Sequence, residues 1–279
     1  MNNMEQLVKI SEATNRPLDE VLTYHILESV LRRVSNSIYI DELVLRGGMM
    51  TRLWVPLGRR IAVDVDFLGL YPFDIGETTA KFQDILSADC ADGVKFHLDT
   101  LLSEGIWMET ESPGARINID VNIGQYQRNI QIDVGFGDPL APPASYIKYP
   151  TLVGEATPIQ TVRAETMIGW KLHGLVEFGA RRWHPKTLYD LVLYGKYITN
   201  TSQPELAQAI QTAFTSRNTP LEEVYSILAA PDWWHNSKSR SKWKWYIRKM
   251  SAQIFEEDFE TVVNIVTGRW ESVVRELLS

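Results

Sequence analysis

Across residues 4–35 the apolar positions Val21, Leu22, Ile26, Leu27, Val30, Leu31 and Val34 recur every three or four residues, the period of a helix with a buried face. Pro17, inside that stretch, suits the first turn of a helix, where its missing N–H has no partner to lose. Short apolar runs at 43–46 and 61–69 read as strands with a helix between them near Met49–Trp54, and 77–90 reads as another helix. Two runs then alternate apolar and polar residues: Arg116-Ile117-Asn118-Ile119-Asp120-Val121-Asn122-Ile123 and Asn129-Ile130-Gln131-Ile132-Asp133-Val134-Gly135-Phe136. The loop from Gly124 to Arg128 would close them into an antiparallel hairpin. Pro139, Pro142, Pro143, Pro150 and Pro158 punctuate the next twenty residues, which read as an extended connection. From 161 the period turns helical (Val162, Met167, Leu172, Leu175, Val176, then Leu188, Leu191, Val192), with further helices expected at 204–215, 220–229, 242–256 and 258–277. The pattern predicts an α+β protein, with strands and helices mixed over 1–155 and a mostly helical C-terminal domain over 156–279.

Composition narrows this only at the margins. The 279 residues are 44% hydrophobic and 23% charged, the values of an ordinary globular protein. No apolar run approaches the roughly 20 residues needed to cross a bilayer, and the N-terminus lacks the basic and apolar regions of a secretory signal. Cys90 is the single cysteine, so neither an internal disulfide nor a cysteine-based zinc site is available, and a cytoplasmic location is expected. Charge is more informative. Residues 1–155 hold 13 basic and 22 acidic side chains, a balance of −9, whereas 156–279 hold 15 and 13, a balance of +2. That asymmetry suits a protein whose second half handles a polyanion.

The candidate chemistry lies in the acidic half. Gly47-Gly48 leads out of the apolar run Leu43-Val44-Leu45, and fifteen residues later come Asp64-Val65-Asp66. Strand residues two apart share a face, so the two carboxylates would stand side by side, an unfavourable pairing unless a divalent cation sits between them. Glycines allow a phosphate to approach backbone N–H groups. Two-metal phosphoryl chemistry calls for a third carboxylate from a neighbouring strand. Asp133 is preferred, because its apolar neighbours Ile132 and Val134 point the other way and Gly135 and Gly137 follow it; Asp120 competes.

These segments together resemble the AbiEii/AbiGii-type nucleotidyltransferase toxins, relatives of the MenT toxins within the DNA polymerase β-like nucleotidyltransferase superfamily. Leu45-Arg46-Gly47-Gly48 and Arg60-Ile61-Ala62-Val63-Asp64-Val65-Asp66-Phe67 are similar to the family signature, and Ile132-Asp133-Val134-Gly135-Phe136-Gly137-Asp138 to its third-carboxylate strand. Glu165-Thr166-Met167-Ile168-Gly169-Trp170-Lys171-Leu172-His173-Gly174-Leu175 resembles its lysine-bearing helix. Arg181 through Lys186-Thr187-Leu188-Tyr189-Asp190-Leu191 resembles the later motif that ends in an aspartate. The resemblance spans roughly 40–195 in the family's order.

It implies Mg²⁺, or Mn²⁺ in its place, at Asp64, Asp66 and Asp133, and NTP phosphates near Gly47, Gly48 and Lys171. Asp190 would be an active-site carboxylate that fixes the lysine or orients the acceptor hydroxyl. Apart from the resemblance, Arg59 and Arg60 stand just before the candidate metal strand, where a phosphate-binding or acceptor-binding role competes with simple solvent exposure. The implied reaction moves a nucleoside monophosphate from an NTP to an acceptor hydroxyl, with the tRNA 3′ end favoured. The implied role is a toxin of a toxin–antitoxin or abortive-infection (phage defence) system with a cognate antitoxin. A nucleotidyltransferase acting on a protein or small molecule, and a non-catalytic nucleotide-binding module, are the rival readings. Two departures matter: Ala62 stands where relatives often carry Ser or Thr, and Thr187 replaces the first acid of the later motif. His173 and His184 read as structural. The segment 238–249 holds six basic residues and no acid among aromatics, which suits RNA contact, although Trp243, Ile247 and Met250 at helical spacing also suit inward packing.

Overall fold

The computed structural model describes residues 3–110, 112–177, 183–230, 236–249 and 258–279. The chain divides into two compact units, one built from Met1–Met50, Ala62–Asp138 and Ala144–Thr161, the other from Thr51–Ile61, Pro139–Pro143 and Val162–Ser279.

In the first unit the order is α1 (Asn3–Thr14), α2 (Leu18–Ser35), β1 (Leu43–Arg46), the start of α3 (Gly47–Trp54), β2 (Val65–Gly69), α4 (Ile75–Ser87), β3 (Val94–Ile106), β4 (Gly114–Ile123), β5 (Tyr126–Gly135), β6 (Ser145–Tyr149) and β7 (Thr157–Thr161). The strands form one seven-stranded sheet in the order β3-β4-β5-β2-β1-β7-β6, mixed because β2 runs parallel to β5 and β1 parallel to β7. The hairpin expected from the alternation is present: Ile123 faces Tyr126 across Gly124 and Gln125, and Gly124 supplies the positive φ (56°) that a two-residue turn needs.

Register and alternation give the sheet two unlike faces. Leu45, Phe67, Ile117, Ile119, Ile130, Ile132 and Val134 are buried on one face. There α4 docks, Phe82 meeting Phe67 at 6.1 Å between ring centroids. Helix α2 is buried nearly all round. Three of its polar side chains converge on Asp92, which takes hydrogen bonds from Ser29 (2.6 Å), Arg32 (2.8 Å) and Arg33 (2.8 Å). The opposite face of the sheet carries the polar members of each alternating strand.

Three expectations are corrected, and one strand, β3, was not foreseen. The helix expected over 4–35 is two helices, broken where Asn15 turns left-handed (φ 51°) and Pro17, which cannot continue a helix, caps α2. The strand expected over 61–69 begins only at Val65; the Ala62 N–H is taken by the Tyr24 hydroxyl at 3.0 Å rather than by a ladder. Strand β3 lacks clean alternation because its register shifts between His97 and Leu102, which hides it from a period-two search. The proline-rich connection contains β6 and β7. Pro158 is tolerated there because β1 pairs with β7 only at Thr161, so the missing N–H interrupts no ladder on that side.

The second unit is helical: α5 (Ala164–Glu177), α6 (Pro185–Tyr197), α7 (Gln203–Thr215), α8 (Leu221–Ala229), α9 (Ser237–Lys249) and α10 (Phe259–Leu278). Helices α5 and α7 approach so closely that a Cβ on Gly169 would lie 2.7 Å from the Ala209 carbonyl oxygen. Trp270 is fully buried, its indole N–H donating to the Leu191 carbonyl at 3.3 Å. Helix α9 begins ahead of the expected 242, while residues 250–256 of that expectation, with Met250 and Arg181, lie outside the described residues. Among the described residues no helix is long and apolar enough to cross a membrane.

Candidate functional site

The polar face of the first unit's sheet bears a row of charge. Pairing sets Glu104 of β3 beside Arg116 of β4, Arg116 beside Asp133 of β5, Asp133 beside Asp66 of β2, and Asp66 beside Arg46 of β1. Residues paired across strands share a face, so five adjacent strands present one rung reading −, +, −, −, +. The two adjacent acids at its centre are two of the three carboxylates singled out in the sequence. Asp64, the third, sits just ahead of β2, close enough for its charge to act on Arg116.

The two central acids are already engaged. Arg116 donates through Nε and Nη2 to the two oxygens of Asp133, each at 2.9 Å, and Gln131 Nε2 adds a third bond at 3.0 Å. The hydrogen bonds to Asp133 raise the Arg116 pKa above its already high value. Asp66 lies against the start of α3, 3.4 Å from the Gly48 nitrogen. Gly47 has φ +72°, and a Cβ there would overlap the Asp66 carboxylate, so this position requires glycine twice over. Arg46 turns to Asp138 at 2.6 Å, which Ser112 also reaches at 3.1 Å; Gly135 leaves the room that the Arg46 guanidinium fills.

The structure sets two of the three carboxylates, Asp66 and Asp133, side by side on adjacent strands. Among the described residues, no group of three Asp, Glu, His or Cys side chains is gathered to hold a metal ion. Asp133 stands beside Asp66, but a guanidinium neutralises it. The donor set nevertheless fits a divalent cation in kind: Asp64 and Asp66 offer hard oxygens two residues apart, and the next carboxylate is one strand away. Asp120, the competing candidate, lies four residues along β4 from Arg116. It lines a surface cavity of about 410 Å³ with His97, Thr100 and Arg128 and accepts from Asn129 at 2.9 Å.

The second unit holds a separate ionic cluster. Asp190 of α6 is 1% exposed and accepts from Arg60 Nε at 3.0 Å while pairing with Lys171 Nζ of α5 at 2.8 Å. Burial alone would raise the Asp190 pKa, but Lys171 and Arg60 outweigh it and hold the carboxyl at about 2. Asp190 is thus the acid paired with Lys171, a pairing the sequence had left open, with Thr187 in place of the motif's first acid. Lys171 keeps 22% of its side chain exposed. Arg60, expected at the phosphates, is instead buried and bonded to Asp190 and its neighbour's carbonyl at Ile61. Tyr189 donates to the Arg59 carbonyl, and burial pushes the Tyr189 and Tyr246 hydroxyl pKa values up. His173 bonds Thr219 at 3.0 Å and packs on Phe214, a structural placement.

Because the folded pKa of Asp190 lies below its unfolded value, its contribution to stability is present above about pH 4 and is lost as pH falls toward 2. Acid titration followed by tryptophan fluorescence is expected to show this loss, and Asp190→Asn is expected to flatten the acid limb.

Sequence reading missed Arg116, Gln131 and the Arg46–Asp138 pair. The signal was there for Arg116: a two-residue turn at Gly124-Gln125 sets the register, and that register puts Arg116 opposite Asp133. Nothing in the sequence indicated that the pair would bond side chain to side chain.

The sequence model of the family described as "Nucleotidyl transferase AbiEii toxin, Type IV TA system" matches residues 29–265. No curated protein sequence matches the chain. Two crystal structures share the fold. A candidate nucleotidyltransferase from H. pylori aligns with TM-score 0.57 at 14% identity over 93% of this chain and 96% of that one. JHP933 from Helicobacter pylori aligns with TM-score 0.56 at 13% identity over 93% of each.

Proposed function

The chain belongs to the AbiEii family of nucleotidyltransferase toxins, and from that premise we propose that it transfers a nucleoside monophosphate from an NTP to the 3′-hydroxyl of tRNA. In this reaction the acceptor oxygen bonds to the α-phosphorus, the bond from that phosphorus to the oxygen bridging the β-phosphate breaks, and pyrophosphate leaves. The hydroxyl proton passes to solvent or a nearby carboxylate. The biological role under this reading is growth arrest relieved by an antitoxin, in phage defence, within the cytoplasm.

The observation that carries the reading is the pairing of Asp66 with Asp133 on adjacent parallel strands, with Asp64 two residues before Asp66. Asp64 and Asp66 would hold a divalent cation, Mg²⁺ by preference for hard oxygens, with Asp133 the third ligand once Arg116 turns aside. When bound, such a cation neutralises charge on the attacking and leaving oxygens of an in-line displacement. The Gly47-Gly48 turn offers backbone N–H groups to phosphate oxygens at the start of α3. Lys171, held by Asp190 yet partly exposed, supplies an ammonium for triphosphate charge. Asp190, with both its oxygens on cations, is a positioning residue for Lys171.

Purified protein incubated with each α-labelled NTP and total RNA tests the reading. Label is expected to move to the tRNA 3′ end; label on protein or a small molecule would replace the acceptor, and NTP binding without transfer would remove catalysis. Gly47→Ala is expected to lower transfer by about 10²-fold, because the added methyl displaces the Asp66 carboxylate. Wild-type rates from that variant would show that Asp66 need not stay against the turn.

A further inference from the structure

Helix α9 has two unlike sides. Its inner side is consumed by packing within the second unit: Ser239 and Trp243 are buried, and Trp243 lies 6.1 Å from Phe259 and 6.4 Å from Tyr189 between ring centroids. Its outer side carries Lys238, Lys244, Trp245, Arg248 and Lys249, all exposed. No acid occurs anywhere in the helix. Two of its six cations are used internally, Arg240 on Glu260 and Lys242 on the Trp183 carbonyl. The other four have no acidic partner among the described residues.

Trp245 is the unusual member. An indole 58% exposed on a charged helix leaves apolar area in water, and among the described residues its ring is met by the Lys249 ammonium, 3.9 Å from the ring centroid. From 238 to 249 the helix rises about 16 Å, so cations precede, flank and follow the indole along one side. An acidic peptide would satisfy those cations and leave the ring idle. A single-stranded polynucleotide would use both, its phosphates meeting the cations and a base stacking on the indole. We infer that the outer side of α9 is a docking surface for a single-stranded segment of an RNA acceptor; this rests on the reading that the acceptor is RNA.

The test measures binding of a labelled, unstructured RNA oligonucleotide to the full chain by fluorescence anisotropy, without NTP, over a range of salt. Trp245→Ala is expected to weaken binding by roughly tenfold or more, the worth of one base stack, while Trp245→Phe retains most of the affinity. The triple change Lys238→Gln, Lys244→Gln, Arg248→Gln is expected to reduce the slope of log affinity against log salt by about 2, near 0.7 for each phosphate no longer neutralised. All of these positions are exposed, and unchanged thermal unfolding would confirm that the helix persists.

Polyglutamate displacing the RNA as well as unlabelled RNA of equal charge would overturn the inference in favour of an acidic protein partner. So would a Trp245→Ala variant that binds like the wild type. Failure of the functional reading looks different: the wild-type protein would label a protein or small molecule, or nothing, whatever these variants do to RNA affinity.

Discussion

Asp66→Asn is expected to abolish transfer, with a fall on the order of 10³-fold or more, while leaving the fold intact. The substitution keeps an oxygen to face the Gly48 nitrogen, so the start of α3 retains its acceptor. It removes the charge that any cation shared with Asp64 requires. Asp66 is half-buried on the polar side of the sheet, away from the face carrying Phe67, Ile132 and Val134, and the core is untouched. Label transfer from NTP and thermal unfolding, measured on the same preparation, check both halves. Expression of the variant is expected to be tolerated where the wild type arrests growth. A fully active Asp66→Asn protein would take carboxylate-bound metal out of the chemistry.

Asp190→Ala is expected to have the largest effect on stability, roughly 3–5 kcal/mol, because it leaves the buried Arg60 guanidinium without its counter-charge. Lys171→Gln is the informative contrast. Asp190 would still have Arg60, and Lys171 is partly exposed, so the loss of stability should be about 1 kcal/mol or less. Transfer should nonetheless fall on the order of 10²-fold through the lost phosphate charge. Chemical denaturation of the two variants beside their transfer rates separates the roles. Equal destabilisation by both would mean that the lysine, too, is structural.

The alternation of Arg116–Ile123 and Asn129–Phe136 was enough to predict the hairpin and to place Asp133 opposite its apolar neighbours. The order of motifs was enough to place Lys171 and Asp190 on helices that the structure joins through an ion pair. Legibility ended where tertiary partners decide. The engagement of Asp133 by Arg116 depends on side-chain reach across a register, and the diversion of Arg60 to Asp190 joins residues 130 apart in sequence. Strand β3 escaped because a register shift breaks the period that reveals strands, and β7 because its proline lies where only one neighbour pairs. The basic run of α9 was visible in sequence, but which cations face outward around Trp245 was settled only by which of its rings were buried.

The two-sided sheet has a consequence for how such a protein can diversify. The apolar strand residues that pack the first unit lie on the side where α4 docks, and the row from Glu104 to Arg46 lies on the other side. An exposed member of the row such as Glu104 can therefore be exchanged at little cost in folding free energy, whereas Asp133, buried and bonded by Arg116 and Gln131, cannot. Inward-pointing residues such as Ile117 or Val134 have no such latitude.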